Sequence, residues 1–373
     1  MKKLYLIGIR IIVTLLIIFC IGAVIVSCGS GNNKSKENEQ SPLIFELYGE
    51  GYAVSHNILS NEKNIVIPST YDEKPVIAIK DEGFSETLIE SITIPDSVVK
   101  IGKRAFYHSW QLEEVIFGNG VKKIEDEAFY LCSSLINVTI PKSVQHIGLM
   151  AFSCYNLENI EVDKDNQYYK SIDGVLYSKD EKTLVFYPKA NYGDERIPKI
   201  HDGVENIAAY AFYNNTRIGR VEIPDSVINI GDHAFSECTN IVSIVLGEGV
   251  QTIGQFAFSG CEDLVWLTLG SNIKRIEAGA FKGSFPEPKH SIYLPDGLTY
   301  IGDMAFSNCL ISGISIPNTV TYIGSSAFSV TFFDTIGYRG TKAEWNKIAK
   351  GSSWFGYGDM TVVCEDGRIK YKN

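Results

Sequence analysis

Positive charge is in short supply in this chain of 373 residues, with 34 Lys and Arg against 44 Asp and Glu and a formal net charge of −10. Nucleic-acid binding draws on a basic footprint, so the balance argues against that class of partner, and the scattered acidity reads as ordinary solubility. Catalytic signatures are missing as well. There is no G-x-S-x-G, no H-E-x-x-H and no P-loop, and residues 337–342 carry glycine, threonine and lysine in the wrong order for one. No C-x-x-C pair occurs and the six histidines are dispersed, so neither a metal nor a cofactor is expected. Asp163-Lys164-Asp165-Asn166 has the start of a calcium loop without its central glycine or terminal glutamate, and reads as a solvated turn. With no catalytic constellation in view, the chain is read as non-enzymatic.

What the chain does have is a repeat. From Leu135 to Phe152 the apolar positions are Leu135, Val138, Ile140, Val144, Ile147, Ala151 and Phe152, and the same offsets return as Ile218, Val221, Ile223, Val227, Ile230, Ala234 and Phe235. The closing phenylalanine falls at 84, 106, 129, 152, 212, 235, 258, 281, 306 and 328, separated by 22, 23, 23, 60, 23, 23, 23, 25 and 22 residues. Val138 and Ile140 alternate with Asn137 and Thr139, which predicts one short strand per repeat. Pro141, with Pro95, Pro224, Pro295 and Pro317 at the same slot, cannot continue a ladder and should turn the chain. Gly148 and its equivalents suggest a tight backbone bend. A coil of this length cannot bury its own apolar face, but stacked coils line these positions up into continuous columns. The fold class is therefore mainly β, a solenoid of about ten coils.

The motif Ile-x-Ile-Pro-x-Ser-Val-x-x-Ile-Gly-x-x-Ala-Phe, recurring at near-constant spacing over about residues 43 to 373, resembles the bacterial leucine-rich-repeat surface proteins of the BspA type. The resemblance implies a leucine-rich-repeat solenoid on secreted or cell-surface proteins, several of them adhesins. It names no ligand.

The N-terminus reads as an export signal, Met-Lys-Lys followed by an apolar stretch from Leu4 to Val26. Ile25-Val26-Ser27-Cys28-Gly29 resembles the lipobox of bacterial lipoproteins, which makes Cys28 the expected lipidation site; an uncleaved membrane anchor is the alternative. The expected organisation is a signal peptide at 1–27, a flexible tether at 28–42, an N-terminal cap at 43–80, the solenoid at 81–336 and a C-terminal cap at 337–373. In the last of these Thr341 and Glu344 form a capping box for a short helix, and Asp366-Gly367 marks a hairpin. The 60-residue interval between Phe152 and Phe212 holds an insertion at about 163–200, read as three short strands. It is either a scaffold element extending the sheet or a binding lobe carrying Tyr168, Tyr169, Tyr177, Tyr187 and Tyr192.

Eight cysteines in an exported chain invite a disulfide framework. Here the spacing argues otherwise. Cys20 lies in the signal and Cys28 in the lipobox, while Cys132, Cys238, Cys261 and Cys309 sit three residues after a repeat phenylalanine, where other repeats have Ser109, Asn215, Ser284 and Thr331. Such a slot asks for a small side chain that bonds nearby backbone, so buried free thiols are expected, with Cys238 and Cys261 the pair that consecutive coils could bridge. For partner binding the natural surface is the outward row of strand positions, where Trp266 and Tyr293 fall on consecutive coils beside Val245. Cross-strand packing is the competing reading. The expected partners are a protein or glycan, such as host matrix or another cell, and the membrane through the lipid anchor, with location at the cell envelope. Adhesion is the role the resemblance implies, and a structural component of the envelope is the alternative.

Overall fold

A computed structural model describes residues 41–191, 196–288, 291–331, 333–356 and 358–372. The expected signal peptide, Cys28 and nearly all of the tether lie outside the described residues. Residues 42–373 form one compact body built almost entirely of short parallel strands.

The repeat around Leu135 shows how a coil is made. Asn137–Ile140 is a strand whose Val138 and Ile140 are buried while Asn137 and Thr139 face solvent. The chain turns at Pro141, whose carbonyl accepts a bond from Val144 N at 3.2 Å. A second strand of two residues, His146–Ile147, then pairs in parallel with Lys123–Ile124 of the preceding coil. One strand per coil was expected, and there are two. The second escapes a sequence reading because a run of two residues with one apolar member has no visible alternation. It nevertheless stacks Ile79, Ile101, Ile124 and Ile147 in register, and later Leu184, Ile207, Ile230, Ile253, Ile276, Ile301 and Ile323.

The phenylalanines form the third column. Phe84, Phe106, Phe129 and Phe152 stack with ring centroids 5.3, 4.9 and 5.4 Å apart. Tyr187 heads a second stack through Phe212, Phe235, Phe258, Phe281, Phe306 and Phe328, and Trp354 closes it edge-on. Tyr187 and Trp354 thus fill the phenylalanine slot in two coils that a search for phenylalanine overlooks. The array has about thirteen turns rather than ten.

Around each phenylalanine the backbone takes an unusual path. Except at Cys154 after Phe152, the residues two before and two after it have positive φ, as Glu127 (56°) and Leu131 (63°) do beside Phe129. Alternate amides then point at the next coil: Glu127 N, Phe129 N and Leu131 N donate to Leu149 O, Ala151 O and Ser153 O at 2.9, 2.8 and 3.2 Å. Each left-handed non-glycine residue costs about 1 kcal/mol or more, offset by these bonds and by burial of the ring. Gly148 has a different reason from the expected bend. Its φ is not left-handed, but a Cβ there would lie 2.3 Å from Asp126 N in the coil beneath, and Gly102 and Gly324 are pressed in the same way. Gly148→Ala should therefore force two coils apart and cost about 1–3 kcal/mol in a denaturation measurement. A neutral result would remove close coil approach as the reason for this glycine.

The insertion takes the scaffold form. Tyr169–Ile172, Val175–Ser178 and Thr183–Phe186 are antiparallel neighbours, and the third pairs in parallel with Asn206–Ile207, so the inserted sheet continues into the short-strand ladder. Asp173 and Gly174 both have positive φ (51° and 79°), as a two-residue hairpin turn requires. Val175–Ser178 is buried on both faces. Leu176 joins the core of the N-terminal coils, whereas Val175 and Tyr177 join the core of the C-terminal coils.

Both ends are shorter as caps than expected. The hairpin of Leu43–Tyr48 with Gly51–His56 closes one end, but Asn64–Val66 and Lys74–Ile79 already belong to the long- and short-strand ladders. At the other end Thr335–Arg339, Ala349–Lys350 and Met360–Cys364 are further rungs, and Gly367–Tyr371 folds back antiparallel as the closing strand. The helix Lys342–Lys347 has its capping box, and its buried Trp345 donates Nε1–H to Tyr371 Oη at 2.9 Å.

Candidate functional site

The outward row of the long strands is built by strand alternation alone. In-register pairing places Ser91 beside Glu114, Asn137 beside Asn159, and Arg220, Ser243 and Trp266 in one line. Polar neighbours bond along the row, with Asn159 Nδ2 donating to Asn137 Oδ1 at 3.1 Å. Two grooves run along it. One, of about 1230 Å³, is lined by Glu114, Ile116, Asn137 and Thr139 with Glu113 and Glu158 at its side. Arg217 is a cation on its wall, with its guanidinium over the Tyr155 ring and bonded to Asn156 Oδ1 at 2.8 Å. The other, of about 900 Å³, has Arg220, Glu222, Val245 and Thr268 on its floor. Glu248 at its edge is held below the usual carboxylate range by bonds from the side chain and backbone amide of Ser271.

Of the residues singled out from the sequence, Val245 is half-buried in the second groove, while Trp266 and Tyr293 are 59% and 74% exposed and line neither groove. They sit on consecutive coils, and among the described residues their strands are not paired with each other. Trp266–Thr268 ends one sheet and Ser291–Tyr293 begins another. The break coincides with the 25-residue spacing between Phe281 and Phe306, the longest regular interval in the array.

The insertion tyrosines are mostly spent on the fold. Tyr169 Oη accepts Ile147 N at 3.0 Å, supplying the partner that the next short strand would have given, and burial raises its pKa. Tyr177 Oη accepts His201 N, and Tyr187 Oη accepts Lys199 N while donating to Asn191 O. Burial pushes Tyr187 up to about 12. Tyr168 keeps an exposed ring, and Tyr192 lies outside the described residues. Asn166 is not a cation ligand, because its side chain is buried and fully used: Nδ2 donates to Pro141 O and Val144 O, and Oδ1 accepts Tyr168 N and Tyr169 N.

The cysteines answer to the slot they occupy. All six in the described residues are free and buried, Cys238 and Cys261 included. Sγ of Cys132, Cys238 and Cys309 donates to Phe106 O, Phe212 O and Phe281 O at 3.1, 3.1 and 2.9 Å, as Ser109 and Ser284 hydroxyls do to Phe84 O and Phe258 O. Burial pushes the Cys238 and Cys309 thiols up to about 12, which keeps them protonated and unreactive at neutral pH.

Sequence reading missed the two grooves, whose walls come from residues before and after the strands, and the buried Lys189. It also passed over an outward stack of Tyr210, His233 and Phe256, although their 23-residue spacing was in view.

The chain is similar to several solved structures. The pneumococcal vaccine antigen PcpA is 20% identical, with a TM-score of 0.55 over 82% of this chain and 88% of that one. A leucine rich cell surface protein from Faecalibacterium prausnitzii A2-165 is 23% identical, with a TM-score of 0.45 over 87% and 98% of the two chains. A leucine rich repeat protein of T. pallidum is 24% identical, with a TM-score of 0.37 over 61% and 91%. No curated protein sequence matches the chain. The family profile described as the BspA type leucine rich repeat region matches in six copies over residues 61–177 and 205–333. With most of its length so matched, the chain belongs to the BspA-type leucine-rich-repeat family.

Proposed function

We propose that the chain is a non-enzymatic binding protein of the bacterial cell surface, anchored through a lipid on Cys28, that engages a protein or glycan through the outward row of its long strands and acts in adhesion. The observation that carries this reading is that one row holds both grooves and the exposed Trp266 and Tyr293. Surface exposure accords with membership of the BspA-type family and with the signal-like segment before Cys28.

Trp266→Ser together with Tyr293→Ser should leave the circular dichroism spectrum and melting temperature nearly unchanged while lowering cell or matrix binding at least about thirtyfold, the loss expected for two anchor residues. The check is binding of the full chain and the double variant to immobilised matrix proteins and glycans. Undiminished binding with an intact fold would move the site into the grooves. Protease treatment of intact cells separates this reading from a structural role inside the envelope, since a component facing inward should survive it.

A further inference from the structure

The turns that carry the phenylalanine column present a second surface, made by different residues of each coil from those of the strand row. Tyr210, His233 and Phe256 lie two residues before successive phenylalanines, and their positive φ values (60°, 55° and 52°) turn the side chains outward. Their rings stack at 4.9 and 5.1 Å with interplanar angles of 7° and 14°. The stack ends where the next coil has Gly279, over which the Phe256 ring lies so closely that a Cβ would meet it at 2.3 Å.

Beside this stack is a depression of about 420 Å³, within the range of small-ligand sites, lined by Tyr213, Asn214, His233, Ser236, Glu237 and Phe256. Ser236 is only 4% exposed, and its hydroxyl, which makes no hydrogen bond with described residues, stays open to water. The equivalent serines of later coils are paired, Ser259 to Lys282 O at 3.0 Å and Ser307 with Ser329 at 2.8 Å. The Tyr213 hydroxyl, the His233 imidazole and the Glu237 carboxylate likewise make no hydrogen bond or ion pair with described residues. Glu237 lies back over Gly260, where a Cβ would come within 2.7 Å of Oε1; the same slot holds Glu86 after Phe84 and His108, Leu131, Asn214 or Asn308 in other coils. These groups are hydrated in the open depression, so a guest gains where its own hydroxyls replace the bonds of the water it displaces.

We propose that this depression binds a neutral sugar ring, such as the end of a glycan. The rims of the His233 and Phe256 rings give the depression only an apolar border, and recognition rests on a carboxylate, hydroxyls, an imidazole and a carboxamide that offer donors and acceptors to the sugar hydroxyls. No Lys or Arg lines the depression, and Glu237 repels anions, so phosphorylated or acidic ligands are disfavoured. The site stands apart from the strand row and does not depend on it.

The test is saturation-transfer NMR on the full chain with glucose, galactose, mannose and N-acetylglucosamine, beside glucose 6-phosphate and a neutral tripeptide. Transfer to at least one neutral sugar is expected. Glu237→Gln and Ser236→Ala should each raise its Kd at least about fivefold with the melting temperature unchanged, as for loss of one hydrogen bond, while Trp266→Ser with Tyr293→Ser should leave it as in the parent. Absence of transfer to every neutral sugar, affinity unmoved by both single substitutions, preference for glucose 6-phosphate, or transfer to the tripeptide alone would overturn the assignment.

Discussion

Phe235→Ala should cost roughly 3–5 kcal/mol, the range for emptying a buried aromatic site. Phe235 is fully buried, with its ring 4.4 Å from Phe212 and 5.1 Å from Phe258. Truncation removes stacking on both sides at once. The cavity cannot close by sliding the coils together, because the spacing there is fixed by backbone bonds such as Phe235 N to Ala257 O at 2.7 Å. In a linear array each coil is held by its two neighbours, so the loss falls at both interfaces of one coil and should lower the cooperativity of unfolding as well as its midpoint. Thr139→Ala is the control. Thr139 is exposed on the outward row, and its truncation should cost under about 1 kcal/mol. Denaturant unfolding of the two variants beside the parent is the measurement, and equal losses would contradict the in/out assignment of the coil.

That assignment was readable from the sequence because both of its markers are chemical. Alternation at Asn137–Ile140 and the recurring phenylalanine report directly on burial, and the thiol or hydroxyl three residues on reports a backbone bond. What could not be read was set by backbone path. The positive φ values at Glu127, Met150, His233 or Ser326 fall on unrelated residue types, because what holds them is the bond to the next coil rather than any preference of the side chain. Gly148 pointed to a special position for the wrong reason, since a glycine needed for close approach and one needed for a bend look alike in a sequence. The candidate site was less legible than the fold. Trp266 and Tyr293 could be put on the outward row, but no residue type marks that one strand ladder ends at Trp266–Thr268 and another begins at Ser291–Tyr293. The depression at Ser236 depends on which hydroxyls find partners, and that depends on the neighbouring coil.

Lys189→Met should raise stability at neutral pH by roughly 3 kcal/mol. Lys189 is 3% exposed and has no hydrogen bond or ion pair with any described residue. Burial pushes its pKa from 10.5 down to about 8, and each unit of such a shift corresponds to about 1.4 kcal/mol between the two protonation states. The titratable groups beside it are the Cys154 and Cys238 thiols, and Cys238, pushed up to about 12 by its own burial, stays neutral and supplies no counter-charge. The sign follows from proton counting. Between about pH 8 and 10.5 the unfolded chain holds a proton on this lysine that the folded chain has released, so folding gains from each rise in pH there; below about 8 the full penalty of a buried ammonium stands. Cys238 and Cys309 act in the opposite direction, because from about pH 9 the unfolded chain loses thiol protons that the folded chain retains up to about 12. Parent and variant share that alkaline loss, so it cancels when they are compared. The advantage of Lys189→Met should therefore be constant below pH 8, shrink through pH 9 and vanish near 10.5. A pH-independent gain would mean that methionine packs better and that the charge was never the cost; a loss at pH 7 would mean that the ammonium has a stabilising partner in the folded protein.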